Sequence, residues 1–126
     1  MTHTDGQSEQ RRTMRTSVAT ATLLVTLGTA LSADIRHGQT IYQVNCSGCH
    51  GPAAQGNIGP KLAGESANWS FAIFSRAMLK DVDDKGERFK TPMPYWGKTG
   101  FKGDQGRAPT PTEIKDLQTF LKAQKK

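Results

Sequence analysis

The sequence predicts an all-α body, three main helices joined by long irregular loops. Three observations carry this expectation. Three segments place apolar residues at helical spacing, with recognisable caps at their starts. No stretch shows the clean apolar/polar alternation of a half-buried strand. The segments between the helices are long and rich in Gly and Pro, which punctuate helices.

The first segment of the chain is not fold. Gln10-Arg11-Arg12-Thr13-Met14-Arg15 is a basic start, Ser17 to Leu31 carries no charge, and small residues follow at Ser32 and Ala33. This is the order of a secretory signal peptide. The apolar run is short and rich in Thr, whereas spanning a bilayer takes about 20 apolar residues. That argues against the alternative, an uncleaved amino-terminal membrane anchor. Arg11-Arg12 invites a twin-arginine reading, but the Thr-Met-Arg-Thr that follows matches that signal poorly. Residues 1–33 are therefore read as signal, with cleavage near 32–34. A cut after Ser32 puts Ala30 three positions back, and a cut after Ala33 puts Leu31 there. Residues 34–126 are the body, expected in the periplasm or otherwise outside the cytoplasmic membrane.

The first helix runs from Asp34 to about Asn45. Asp34 suits the N-cap, and Ile35, Gly38, Ile41 and Tyr42 share a face. Then comes Cys46-Ser47-Gly48-Cys49-His50, and after it a loop from Gly51 to Glu65 with four glycines and two prolines. The second helix spans about Ala67 to Lys80, started by Ser66 or Asn68. Phe71, Phe74 and Met78 follow at helical spacing, with Ile73 and Ala77 beside them. A second loop, Lys90 to Pro109, holds Gly97, Gly100, Gly103, Gly106 and three prolines. The last helix is announced by Thr110-Pro111-Thr112-Glu113, a capping box with Pro at the first helical position. Ile114, Leu117 and Leu121 share its inner face, with Phe120 at the margin. Lys122, Lys125 and Lys126 suit the negative end of the helix dipole. Loops this long in so small a body need something to wrap around.

Composition narrows what that object is. The chain has 126 residues, one domain's worth, and its mean hydropathy of −0.59 excludes a large membrane-embedded body. The net charge of +6 permits a nucleic-acid partner without demanding one, and none is expected. The first 33 residues hold three arginines and two acidic residues, so the 93-residue body keeps a net +5. A body of that size has a marginal core unless a large apolar group joins it. Two cysteines three apart cannot make a disulfide scaffold.

Cys46-Ser47-Gly48-Cys49-His50 is C-x-x-C-H, the signature of c-type haem attachment. Two thiols at this spacing can add to the two vinyl groups of one porphyrin, and the adjacent His50 is then aimed at the iron. The competing readings are weaker. A thioredoxin-like dithiol needs a βαβ context. A structural zinc site needs four ligands, and only His37 could supply the fourth. A disulfide would close a tiny strained loop.

On these residues the chain resembles the small single-haem c-type cytochromes of class I, over nearly all of 34–126. Gly38 and Tyr42 precede Cys46 as that family's Gly-x-x-x-aromatic-x-x-x-Cys, and Phe120-Leu121 stands where its last helix carries an aromatic-Leu pair. The resemblance implies that the first and last helices cross closely at the glycine. Gly59-Pro60-Lys61-Leu62 is similar to the family's Gly-Pro-x-Leu, which implies that the Pro60 carbonyl accepts a hydrogen bond from the His50 ring. Thr91-Pro92-Met93-Pro94-Tyr95-Trp96 resembles the sixth-ligand loop, which implies His50 and Met93 as the axial pair. A methionine between prolines cannot sit in a helix interior. Met78, the other methionine of the body, belongs to the apolar stripe of its helix. His37 reads as a solvated surface residue, so bis-histidine ligation is not expected. Trp69 and Trp96 are either donors to haem propionates or walls of the haem pocket. Gly97 to Ala108 departs from the simplest family pattern and reads as a solvated loop.

The resemblance implies one haem c, bound through Cys46 and Cys49, in a monomeric one-electron carrier rather than an enzyme. Its partners would be redox proteins, a donor and an acceptor, with transient contact to membrane complexes. Lys61, Lys80, Lys98 and Lys102 are candidates for a positive rim facing them. Two other readings remain: the cytochrome subunit of a periplasmic dehydrogenase, and a haem-based gas sensor.

Overall fold

The computed structural model describes residues 33–125. The expected signal peptide lies outside the described residues except for Ala33, and so does Lys126. Helix α1 is Ile35–Asn45, α2 is Ser47–His50, α3 is Phe71–Lys80, α4 is Trp96–Thr99 and α5 is Pro111–Ala123. Among the described residues the extended pairing is limited to one antiparallel bridge, Val82 with Arg88. The all-α expectation holds.

Local chemistry sets most helix starts. The Asp34 carboxylate accepts from the backbone N–H of Arg36 at 2.9 Å and of His37 at 3.2 Å, capping α1. In α5 the Thr110 hydroxyl accepts from Glu113 N at 3.2 Å while the Glu113 carboxylate accepts from Thr110 N at 2.7 Å. Arg107 clamps the same carboxylate at 2.9 Å, and holds Glu113 far below the usual carboxylate range, at about 2. The Thr110 hydrogen bonds act in the same direction. In α3 Ser70 is the cap, its hydroxyl accepting from Ile73 N at 3.3 Å.

That start at Phe71 corrects the expected second helix from Ala67. Ser66–Asn68 forms a separate 3₁₀ turn, and Trp69 and Ser70 are extended, with ψ near 153° and 152°. The reason lies far away in sequence. Buried Gln118 of α5 donates its side-chain amide to the carbonyls of Trp69 at 2.8 Å and Ala67 at 3.3 Å. Those carbonyls are engaged across the core, and the helix restarts after them.

Helices α1 and α5 cross to form the centre of the core. A side chain at Gly38 would collide with the Asp116 carbonyl, so the glycine is required by the approach of the two backbones. Tyr42 packs on Phe120 with ring centroids 5.2 Å apart. Tyr42, Ile114, Leu117 and Leu121 are essentially solvent-free. Burying such a side chain contributes about 1.5–3 kcal/mol. Ile35, expected on this face, is 43% exposed instead. Phe74, Ala77 and Met78 turn α3 into the same core. A side chain at Gly97 would likewise strike the Leu79 carbonyl, where α4 meets the end of α3.

The stretch from Gly97 to Ala108 is mostly exposed, as its composition suggests, but it is anchored. It opens inside α4, and Phe101 is buried, its ring 5.4 Å from that of Trp96. Lys102 N donates to the Asn45 side chain at 2.8 Å, and Arg107 pairs with Asp104 at 3.2 Å. Phe101 on Trp96, the Lys102–Asn45 bond and the Arg107–Glu113 pair hold the segment onto α4, α1 and α5.

Candidate functional site

The site begins where α1 hands over to α2. Cys46 closes the first helix and opens the second: its N–H donates to Tyr42 O at 2.8 Å, and its carbonyl accepts from His50 N at 3.0 Å. Cys46, Cys49 and His50 therefore occupy little more than one turn, with no loop between them and the core helix. Cys46 is buried and Cys49 exposed. As a free thiol, Cys46 is pushed up to about 12, by burial first and by Cys49 second.

His50 is 5% exposed, and its Nδ1 lies 2.7 Å from the Pro60 carbonyl. A carbonyl can only accept, so Nδ1 carries the proton and Nε2 is left with a free lone pair. The Gly51–Glu65 loop brings Pro60 there through backbone bonds to the motif itself. Gly56 N donates to His50 O at 2.8 Å, Gly59 N to Cys49 O at 2.7 Å, and Leu62 N to Ala54 O at 3.0 Å. The buried Tyr42 hydroxyl donates to the Gly51 carbonyl and ties the start of the loop to α1. Burial holds that phenol up to about 12, so it remains a neutral donor.

Met93 is half-buried between exposed Pro92 and Pro94, and its N–H donates to Lys90 O at 3.1 Å. It packs against the apolar cluster that also contains Cys46, Phe74, Met78 and Trp96. Met93 stands outside the hydrogen-bonded pair of His50 and Pro60, and joins the site through this cluster. Met78 is 7% exposed within the α3 stripe, as expected of a core residue. Trp69 is half-buried against the same cluster. Trp96 is buried, and its indole Nε1 has no hydrogen-bond partner among the described residues.

Sequence reasoning missed two features. Gly59 lies against the imidazole: a β-carbon there would stand 2.7 Å from His50 Cε1 and 2.9 Å from Nδ1. Its place beside Pro60 was the available signal. The second corrects His37, which is not merely solvated. Its Nδ1 lies 2.7 Å from Oδ2 of Asp116, a carboxylate only 3% exposed. Nothing in the local sequence announces that pairing across 79 positions.

These residues suit a haem. Two thiols stand ready for its vinyl groups, an imidazole offers a bare Nε2, and a buried indole N–H lacks an acceptor of the kind a propionate supplies. No cluster of three or more His, Cys, Asp or Glu that could hold a bare metal ion occurs among the described residues.

A helical body built around such a motif is, by class, a c-type cytochrome. The chain belongs to the cytochrome c family: residues 33–121 match the family described as cytochrome C oxidase, cbb3-type, subunit III. It is 32% identical over 93 residues to a cytochrome c-553-like protein of Synechocystis sp., covering 74% of this chain and 71% of that one. Among solved structures it is similar to cytochrome cL of Methylophaga aminisulfidivorans, with 22% identity, 71% of this chain covered and a TM-score of 0.36. Cytochrome cL of Hyphomicrobium denitrificans gives 20% identity, 69% coverage and a TM-score of 0.40. The chain spans about half the length of these two, 53% and 45%. The cofactor is haem c, and Cys46 and Cys49 have the spacing that attaches it.

Proposed function

We propose that the protein is a periplasmic one-electron carrier with His50 and Met93 as the axial pair of its haem. Residues 1–33 would be its signal peptide and 34–126 its cytochrome domain. The observation that carries the reading is the 2.7 Å contact of His50 Nδ1 with the Pro60 carbonyl, which fixes the tautomer and leaves Nε2 as a strong donor. When bound, haem c supplies one-electron oxidation and reduction at its iron.

The chain's own residues do the rest. Cys46 and Cys49 would hold the macrocycle. Gly59 leaves room for the imidazole, and Pro60 orients it. Met93 sits on a segment stiffened by two prolines, so a thioether there loses little freedom on ligation. Phe74, Met78 and Trp96 keep the surroundings apolar. With His50 and Met93 both holding the iron, no position would be left for substrate, which would separate a carrier from an enzyme. Among the described residues no helix is long and apolar enough to cross a membrane.

Holoprotein made with a haem-ligation system tests this reading. Its colour should survive a denaturing gel, its oxidised spectrum should show the iron–sulfur charge-transfer band, and the ferrous form should not bind carbon monoxide. Haem that extracts fully into acidified solvent refutes the attachment, and ready carbon monoxide binding favours the sensor. A second reading has support in the matched family's description, which names an oxidase subunit. Ile58, 76% exposed beside Gly59, offers an apolar contact for a permanent partner. Sizing and co-purification of the native protein separate a monomeric carrier from a subunit of a larger redox enzyme, a dehydrogenase included.

A further inference from the structure

Asp116 is a buried carboxylate with a partner at each oxygen. Oδ2 faces His37 Nδ1 at 2.7 Å, and Oδ1 accepts from the backbone nitrogen of Asp34, also at 2.7 Å. Burying a carboxylate is costly unless a compensating charge and hydrogen bonds accompany it. His37 brings a charge to Oδ2 only when its imidazole is protonated, and an amide N–H brings none to Oδ1. The nitrogen in question is the first of the body, at the junction where the signal reading places its cut. The sequence leaves two sites open there, after Ser32 and after Ala33, and the small Ala30 favours the former.

From this geometry we infer that processing occurs at the Ala33–Asp34 bond and that the amine it frees is the counter-charge of Asp116. The inference rests on the export reading above and deepens it. Hydrolysis by a leader peptidase consumes one water, leaves a carboxylate on Ala33 and leaves a protonated amine on Asp34. The α-amino group ordinarily titrates near ~8, so it is mainly cationic at neutral pH. The freed atom already lies in hydrogen-bond reach of Oδ1, so no rearrangement of α1 is needed. A neutral hydrogen bond becomes a charge-assisted one to a carboxylate that is itself buried. The cut bond is accessible, with Ala33 half-buried and Asp34 exposed. The Asp34 side chain meanwhile caps α1, and its carbonyl accepts from Gly38 N at 2.9 Å. One residue thus anchors the start of α1 in two ways, to its own first turn and to α5. A start at Ala33 would keep Asp34 N as an amide and carry the charge one residue away from the carboxylate.

Two measurements decide it. The full chain is exported in a host with haem ligation, and the intact mass of the purified holoprotein is read. The expected chain begins at Asp34. A start at Ala33 or elsewhere in the body overturns the inference alone, while retention of residues 1–32 overturns the export reading together with it. Leaders are then altered to give holoproteins starting at Asp34 and at Ala33, and both are unfolded in denaturant. The Asp34 form should have a folded-to-unfolded ratio about tenfold larger, the difference between a charged and a neutral hydrogen bond. The gap should vanish in Asp116→Asn, which keeps an acceptor and removes the charge. Equal stability of the two wild-type forms overturns the inference, whether or not the variant yields holoprotein. So does a gap that persists in the variant.

Discussion

Gly59 lies against the ring of His50 so closely that a β-carbon there would stand 2.7 Å from Cε1. The space at this position and the hydrogen bond from the next residue act together: the loop must touch the ring for the Pro60 carbonyl to reach Nδ1. Gly59→Ala should therefore push the loop away and weaken that bond. We expect a loss of about 1–3 kcal/mol in stability, typical of overpacking. Holoprotein yield should fall, and the reduction potential should rise as the imidazole becomes a weaker donor. A denaturant titration and a redox titration check both. Unchanged values would mean that the loop has slack.

Met93 and Met78 should respond in opposite ways. Met93→Ala should remove the charge-transfer band, lower the reduction potential and admit carbon monoxide to the ferrous iron. Met78→Leu, close to volume-conserving within the α3 stripe, should cost less than about 1.5 kcal/mol and leave the haem spectrum intact. Met78→Ala should cost about 2–5 kcal/mol through the cavity it leaves. A native spectrum in Met93→Ala would remove Met93 from the site.

Glu113 makes part of the acid stability. Its folded value, about 2, lies below its ordinary 4.5, chiefly because Arg107 donates to it. A depressed carboxylate stabilises the fold above its unfolded value and loses that contribution as pH falls through the folded one. The loss should thus run from about pH 4.5 down to 2. The Arg107 side chain is half-exposed, so solvent screening reduces the effect to about 1 kcal/mol or less. Unfolding curves between pH 7 and pH 2 should show this limb in the native chain and a flatter one in Glu113→Gln.

Docking to a redox partner should depend on salt. Lys61, Lys80, Lys98 and Lys102 are all exposed. Lys98 Nζ and the Arg88 guanidinium lie 5.0 and 5.2 Å from the Tyr95 ring centroid, two residues from Met93. The bimolecular electron-transfer rate with an acidic partner should fall between low and physiological ionic strength. Lys98→Glu should slow it most at low salt. A rate indifferent to salt in both proteins would exclude steering by this face.

What the sequence disclosed was whatever local chemistry decides. Asp34 and the Thr110–Glu113 box are caps complete within four residues, and Cys46, Cys49 and His50 form one contiguous motif. Met78 was legible because its stripe is periodic. What escaped was decided across the fold. Ser70 became a cap because Gln118, 49 positions away, engages Trp69. Phe101 became an anchor because Trp96 lies beside it, although glycines and charges surround it in sequence. His37 looked solvated because its partner sits on the last helix. The role of Gly59 escaped because its neighbour, the His50 ring, is not a neighbour in the chain.

The crossing of α1 and α5 at Gly38 has a consequence for the order of events in the life of the chain. Synthesis starts at the amino end, so Cys46 and Cys49 emerge well before Phe120, which lies 74 residues after Cys46 and covers Tyr42. During that interval α1 lacks its partner helix, and Cys46, buried in the folded chain, is still in water. Closing so distant a contact is slow compared with forming a local turn. Cys46 is thus displayed on an unfinished protein and becomes buried as the fold closes, while Cys49 stays exposed. The order of synthesis leaves Cys46 open to thioether formation before the core around it can close.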